Sequence, residues 1–344
     1  VNRKAEALDI LDAYAKATLT GDSPDTPTPP IPDDYAILGI KGVTAENRDD
    51  INSAINAMTP SPDVTIAEIQ AAVNAELARE SVEAILAYAG NNANDSAGDP
   101  PGVAVYEKAN IGLNPPLGLT ATELVAAANT ALASAPLTET NLADAAGIQA
   151  VVDAYKTILD KSRDTQVAPG LAADDYESLG LSASLGLLNN ATRVQEDIDR
   201  AALFDDALKA RALTEVDEWP ELEAIATIVG RVMDTVDGNV TDPVPALNRQ
   251  ELESLGLTGV TDENLNAVID AIANLSGTVG ADSLSKLQGA VTTGQSNYNA
   301  ALTIIEDYAK NDGGGSVPVA DNFRLACVDL SAPVGVADSN LLGA

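Results

Sequence analysis

Tyr35-Ala36-Ile37-Leu38-Gly39-Ile40-Lys41-Gly42-Val43-Thr44-Ala45-Glu46-Asn47 reads as a tight turn running into a helix start, and its central phrase recurs along the chain. Leu38-Gly39-Ile40, Ile111-Gly112-Leu113, Leu179-Gly180-Leu181 and Leu255-Gly256-Leu257 are four copies, and Ala326-Cys327-Val328 is a worn fifth. Their central residues lie 73, 68, 76 and 71 positions apart in a chain of 344 residues with only 25 glycines. Self-similarity at such a period marks a tandem array of small supersecondary units. Gly39, Gly112, Gly180, Gly256 and Cys327 are therefore read as structural turn positions.

The likeness extends outward on both sides. Four residues before the turn stand Tyr35, Tyr176, Leu252 and Phe323, while the second copy has Lys108 there and Tyr106 nearby. Downstream, Gly42-Val43-Thr44-Ala45-Glu46-Asn47 matches Gly259-Val260-Thr261-Asp262-Glu263-Asn264. Copies two and three carry three extra residues, which puts their second glycine at Gly118 and Gly186. Thr120 and Glu123 have the spacing of a capping box, in which hydroxyl and carboxylate satisfy the free amides of a helix start. Thr44 and Thr261 read as N-caps, with Glu46 and Glu263 in the first turn where the helix dipole favours negative charge.

Helical spacing follows each cap. Ile51, Ile55 and Met58, and again Leu265, Val268, Ile269 and Ile272, recur at three and four residues. A second helix carries Ile69-Gln70, Ile148-Gln149 or Leu287-Gln288. A third ends on Ile85-Leu86-Ala87-Tyr88, echoed by Ile10 to Tyr14 and by Ile304 to Tyr308. In copy two the last two helices fuse, because residues 142–162 hold no strong break, and Trp219-Pro220 opens a helix in copy three. Segments rich in Asp, Asn, Gly and Pro (20–32, 91–101, 237–245 and 311–318) form the joints.

The predicted fold is all-α: a tandem array of about four small three-helix bundles on a repeat of roughly 72 residues, with partial units at both ends. Residues 33–103, 104–173, 174–246 and 247–320 are the four repeats. Residues 1–32 supply a last helix and a proline-rich joint, and 321–344 start a further unit. Leu38, Ile51, Ile55, Ile69, Leu86 and Tyr88 should line one core, and Leu255, Leu265, Ile269, Leu287, Ile305 and Tyr308 its counterpart in copy four. The partial ends fit a piece of a longer array, a processed subunit, or a subunit whose ends complement each other head to tail.

Composition narrows the chemistry. The 52 acidic residues against 19 basic ones give a net charge of −33, with no histidine. Phosphate neutralisation needs a basic face, so nucleic acid is excluded as a partner. No apolar run reaches the length of a membrane span. Aromatic residues are 3% of a chain that is 45% apolar, so its cores must be built from Ala, Leu, Ile and Val. Without histidine the common catalytic triads and histidine metal sites are missing, and Cys327 has no partner for an activated thiol pair. No catalytic residue and no cofactor is expected. Asp22, Asp25, Asp95, Asp99, Asp237, Asn239, Asp242 and Asp312 in the joints offer oxygen ligands for weak calcium binding, although no twelve-residue calcium loop is present and turn chemistry explains the same residues.

The stretch Tyr35 to Asn47 with its following Ile/Ala-rich helix resembles the helical modules repeated in large secreted bacterial adhesins and other repetitive cell-surface proteins. That resemblance implies an extracellular, non-enzymatic structural or adhesive protein at the cell surface, acting as a rod or as a subunit of a surface filament or layer. Its expected partners are copies of itself or neighbouring repeats, head to tail. The alternative is a helical binding module for a host protein or polysaccharide.

Overall fold

A computed structural model describes residues 2–17, 27–58, 63–90, 99–134, 142–163, 173–187, 195–237, 247–310 and 315–328. These residues form α-helices, two short 3₁₀ turns and no strand. By internal contacts the chain divides into two compact units. The first comprises Val1–Asn114, Thr120–Asn129 and Thr138–Gln149; the second comprises Pro115–Leu119, Thr130–Leu137 and Ala150–Ala344.

In the first unit α1 (Asn2–Lys16) packs on α2 (Pro32–Leu38) and α3 (Arg48–Asn56), α3 packs on α4 (Ile66–Gly90), and α4 packs on α5 (Val103–Lys108). One core joins Leu11 and Tyr14 of α1 to Tyr35, Leu38, Ile40, Ile51, Ile55, Ile69 and Val73. Helices α6 (Ala121–Ser134) and α7 (Ala145–Arg163) follow. The second unit contains α8 (Ala173–Ser178), α9 (Gln195–Lys209), α10 (Trp219–Asp237), α11 (Arg249–Ser254), α12 (Leu265–Ala273), α13 (Leu284–Lys310) and α14 (Ala320–Leu325).

The recurring phrase is a helix C-terminus that is built five times. In each copy a short helix ends on a residue with positive φ, and two backbone bonds close behind it in the Schellman pattern. Gly39 N–H donates to Ala36 O at 3.0 Å and Ile40 N–H to Tyr35 O at 3.0 Å. The same pair recurs around Gly180, Gly256 and Cys327. In copy two it falls on Asn110, whose N–H donates to Glu107 O while Ile111 N–H donates to Tyr106 O. The left-handed residues are thus Gly39, Asn110, Gly180, Gly256 and Cys327 (φ 85°, 58°, 68°, 89° and 52°). Copy two therefore aligns two residues earlier than the glycine suggested. Tyr106, not Lys108, is the counterpart of Tyr35, and asparagine substitutes for glycine because it too tolerates this conformation. The second glycines Gly42, Gly118, Gly186 and Gly259 also have positive φ.

Gly112 has another place in this scheme. It sits two residues after the turn, at the position of Lys41 and Thr258, and all three are held by a glutamine from the next long helix. Gln70 Oε1 accepts from Lys41 N–H (2.9 Å) while its Nε2 donates to Lys41 O (3.2 Å). Gln149 does the same to Gly112 and Gln288 to Thr258. A side-chain amide here pairs with the backbone as a neighbouring strand would, satisfying donor and acceptor together. In copy three the Trp219 indole Nε1 donates instead to Leu179 O, one residue before the turn, at 2.7 Å.

Beneath the first three turns a tyrosine ring is anchored by its hydroxyl. The Tyr35 hydroxyl donates to Asn52 Oδ1 (2.5 Å) and Asn52 Nδ2 donates to Pro30 O (3.0 Å). Tyr106, Asn129 and Pro101 repeat the chain of bonds at 2.7 and 2.9 Å. In copy three an aspartate takes the asparagine's place: the Tyr176 hydroxyl donates to Asp205 Oδ1 at 3.1 Å, and Lys161, almost wholly buried, pairs with the same carboxylate. Leu252 replaces the tyrosine in copy four.

Two expectations are revised. The second and third helices of copies one and four are not separate: α4 runs unbroken for 25 residues and α13 for 27. Ile69 and Val73 in the first half of α4 belong to the core of Tyr35, whereas its second half carries Tyr88 to the vicinity of Tyr106. Each long helix thus serves two successive turns, and α1 takes the role of a second half for the first. The core also shifts by one position where the third helix was read, since Ile85 is buried while Leu86, Tyr88, Ile305 and Tyr308 are only partly so. Leu265 and Ile269 are likewise half-buried, with Val268 and Ile272 inside.

Of the three caps read from threonines, one is as read and two are displaced. Thr120 N–H donates to Glu123 Oε2 and Glu123 N–H to Thr120 Oγ1, closing the box ahead of α6. Thr44 and Thr261 instead pair with Asn47 and Asn264, residues that stand directly before α3 and α12. The threonines cap an extra turn, and the asparagine side chains also donate to Gly42 O and Gly259 O.

Candidate interaction surfaces

Four of the five positions assigned to the turn, Gly39, Gly180, Gly256 and Cys327, lie at its left-handed residue, and Gly112 lies in the glutamine clasp. Cys327 is a free, half-buried thiol at the turn of copy five.

The joint residues named for calcium fall mostly outside the described part of the chain: Asp22, Asp25, Asp95, Asn239, Asp242 and Asp312 all do. Asp99 is exposed, and of Asp237 only its place as the last residue of α10 is described. Among the described residues no three acidic or sulfur ligands converge on a point that could hold a metal ion. Nor is any described helix long and apolar enough to cross a membrane.

The Arg200 guanidinium is buried, bonded to Glu196 and Asp234 and donating to Leu185 O and Gly230 O. Burial raises the Tyr35, Tyr106 and Tyr155 phenols well above their ordinary 10.0, so all three stay protonated. Glu46 and Glu263 are held below the ordinary carboxylate value, first by the hydroxyls of Thr44 and Thr261. Glu80 goes the other way. Burial lifts its pKa, Glu76 and Asp50 add to the effect, and its Oε1 has no hydrogen-bond partner.

Two apolar surfaces stand out among the described residues. A groove of about 780 Å³ runs along α1 in the first unit, lined by Ala5, Ile10 and Ala13 on one side and Pro27, Pro29 and Ile31 on the other, with Glu6, Asp9 and Asp34 at its rim. Ile31, at the N-cap of α2, is half exposed. The proline run and the exposed isoleucine are visible in the sequence, but nothing in their spacing told that α1 would form the opposite wall. In the second unit, α14 leaves Val319 and Val328 exposed beside a half-buried Phe323.

Comparisons with protein-family models, with curated proteins and with solved structures find no match.

Proposed function

We propose that this chain is a non-enzymatic structural or adhesive repeat protein of the cell exterior, working as a rod or as a subunit of a surface filament or layer. One observation carries the reading: the same turn, with its two closing bonds, is made five times, and α4 and α13 each link one turn to the next. Repetition of one structural device along a chain is the economy of a scaffold, in which each repeat contacts chiefly its neighbours. The net charge of −33 fits an exterior of high ionic strength, where repulsion between chains is screened.

Negative-stain electron microscopy in seawater-like salt, with calcium and then with chelator, tests this. Filaments with an axial repeat are the expected result for a self-assembling subunit, and isolated short rods for a spacer. Compact particles of irregular outline in both conditions would remove the proposal. A change of particle length on chelation would assign the acidic joints to calcium. The second reading, a helical module that grips a host protein or polysaccharide, has the apolar groove beside α1 in its favour.

A further inference from the structure

Copy three carries a charge where copies one and two carry an amide. Asn52 and Asn129 accept from the Tyr35 and Tyr106 hydroxyls, and Asp205 holds the same place under Tyr176. A second change accompanies the first, because the Lys161 ammonium of α7 donates to Oδ2 of that carboxylate. The pair is closed off from solvent, with Lys161 2% exposed and Asp205 8%. The Tyr176 ring is held edge-on to Phe204 at 5.8 Å, and its hydroxyl lies 3.1 Å from Asp205 Oδ1, closer than its 3.4 Å contact with Ala201 O. Taking two opposite charges out of water is costly even when they pair. An amine and a carboxyl group held in contact are also the two reactants of an amide, and joining them removes both charges. In bulk water hydrolysis wins because water is in excess. A dry, oriented pair instead has an effective concentration on the order of 10⁵ M or more.

We propose that Lys161 and Asp205 condense into an internal amide bond that ties α7 to α9. A proton passes from Lys161 Nζ to Asp205 Oδ2, leaving an amine beside a carboxylic acid. The Nζ lone pair then attacks Cγ, and the C=O π electrons move onto Oδ1, where the Tyr176 hydroxyl already donates. That is the position of an oxyanion donor. A second proton moves from Nζ to Oδ2, the Cγ–Oδ2 bond breaks, and water leaves as the carbonyl re-forms at Oδ1. The balance is ammonium plus carboxylate to amide plus water, with no further reactant. The product is a neutral amide beneath a tyrosine, the arrangement that Asn52 and Asn129 give copies one and two. The bond spans 44 residues and encloses α8 and the third turn, so a pull along the chain would pass from α7 directly to α9. Both residues lie in the second unit. The bond depends on this core alone and not on the rod or filament reading.

The test is intact-mass spectrometry of the full chain, denatured after incubation in the folded state. Its mass should lie one water below the sequence value. A tryptic digest should leave the chain uncut after Lys161 and joined to the peptide that holds Asp205, because trypsin does not cleave after an acylated lysine. Lys161→Met and Asp205→Ala should each keep the full mass of their sequences, with circular dichroism to check that they fold. Tyr176→Phe should form the bond about 10²-fold more slowly, read as mass against time after refolding. A wild-type chain that stays at its full sequence mass would overturn the proposal, whatever the variants do. A water loss that persists in Lys161→Met would overturn it as well, since it would mark an aspartyl succinimide and not a cross-link. Equal rates in Tyr176→Phe and the parent would remove the tyrosine from the step.

Discussion

At Gly39 and Gly256 the space beside the α-carbon is empty, so a side chain there would meet no neighbour and would suffer only from the positive φ. Gly39→Val and Gly256→Val should each cost about 1–2 kcal/mol in urea unfolding, the strain of a β-branched residue in the left-handed region. Gly112→Ala should cost less, because its φ is ordinary and its new methyl would sit 3.5 Å from Gln149 Oε1. The buried pair in copy three makes a sharper case. Lys161→Met alone leaves Asp205 charged and should destabilise by about 3–5 kcal/mol, whereas Lys161→Met with Asp205→Asn recreates the neutral tyrosine–asparagine arrangement of copies one and two and should recover most of that loss. Glu80 offers a pH test. Its folded pKa is raised, so its contribution to stability falls as pH rises from the ordinary carboxylate value through the raised one. Glu80→Gln should therefore raise the melting temperature at pH 7 and leave it nearly unchanged at pH 3. The raised tyrosines set the alkaline limit by the same sign: stability holds below pH 10 and declines above it, less steeply in Tyr106→Phe than in the parent. Much of this scale could be read from the sequence, because glycine and threonine have local jobs. Asn110 could not, since its role in copy two depends on backbone angles that a nearby glycine mimicked in the spelling.

The elements were legible where they were capped and obscure where they were not. Capping pairs such as Thr120 with Glu123 announce a beginning, and the turn announces an end; between residues 66 and 90 neither intervenes, yet the length of a common helix suggested two. Nothing local breaks α4, and its burial changes partner midway instead of changing face. The recurrence of Gln70, Gln149 and Gln288 was visible, but their clasp on the backbone is a contact across 29, 37 and 30 residues that no local pattern encodes. Where α12 and α13 cross, a methyl built on Gly294 would lie 2.5 Å from Val268 Cα and 2.8 Å from Ala267 O. Gly294→Ala should push these backbones apart and lower stability by about 1–3 kcal/mol despite the better helix propensity of alanine, while Gly289→Ala on the same helix, facing open space, should be neutral or stabilising.

For the molecule as a whole, periodicity foretold helices and their spacing, while the surfaces that set interactions depended on which copy of a position is covered. Phe323 and Leu252 read alike in the sequence, and only their burial tells them apart. Because α4 and α13 belong to two turns each, a copy does not come apart by itself. Stretching a single chain between its termini should give fewer and taller force peaks than there are turns, each releasing the chain of two neighbours, and a glycine placed mid-helix at Ala78 should split one such peak in two. A helix that spans two cores is a splint: it makes the boundary between repeats as hard to part as their centres.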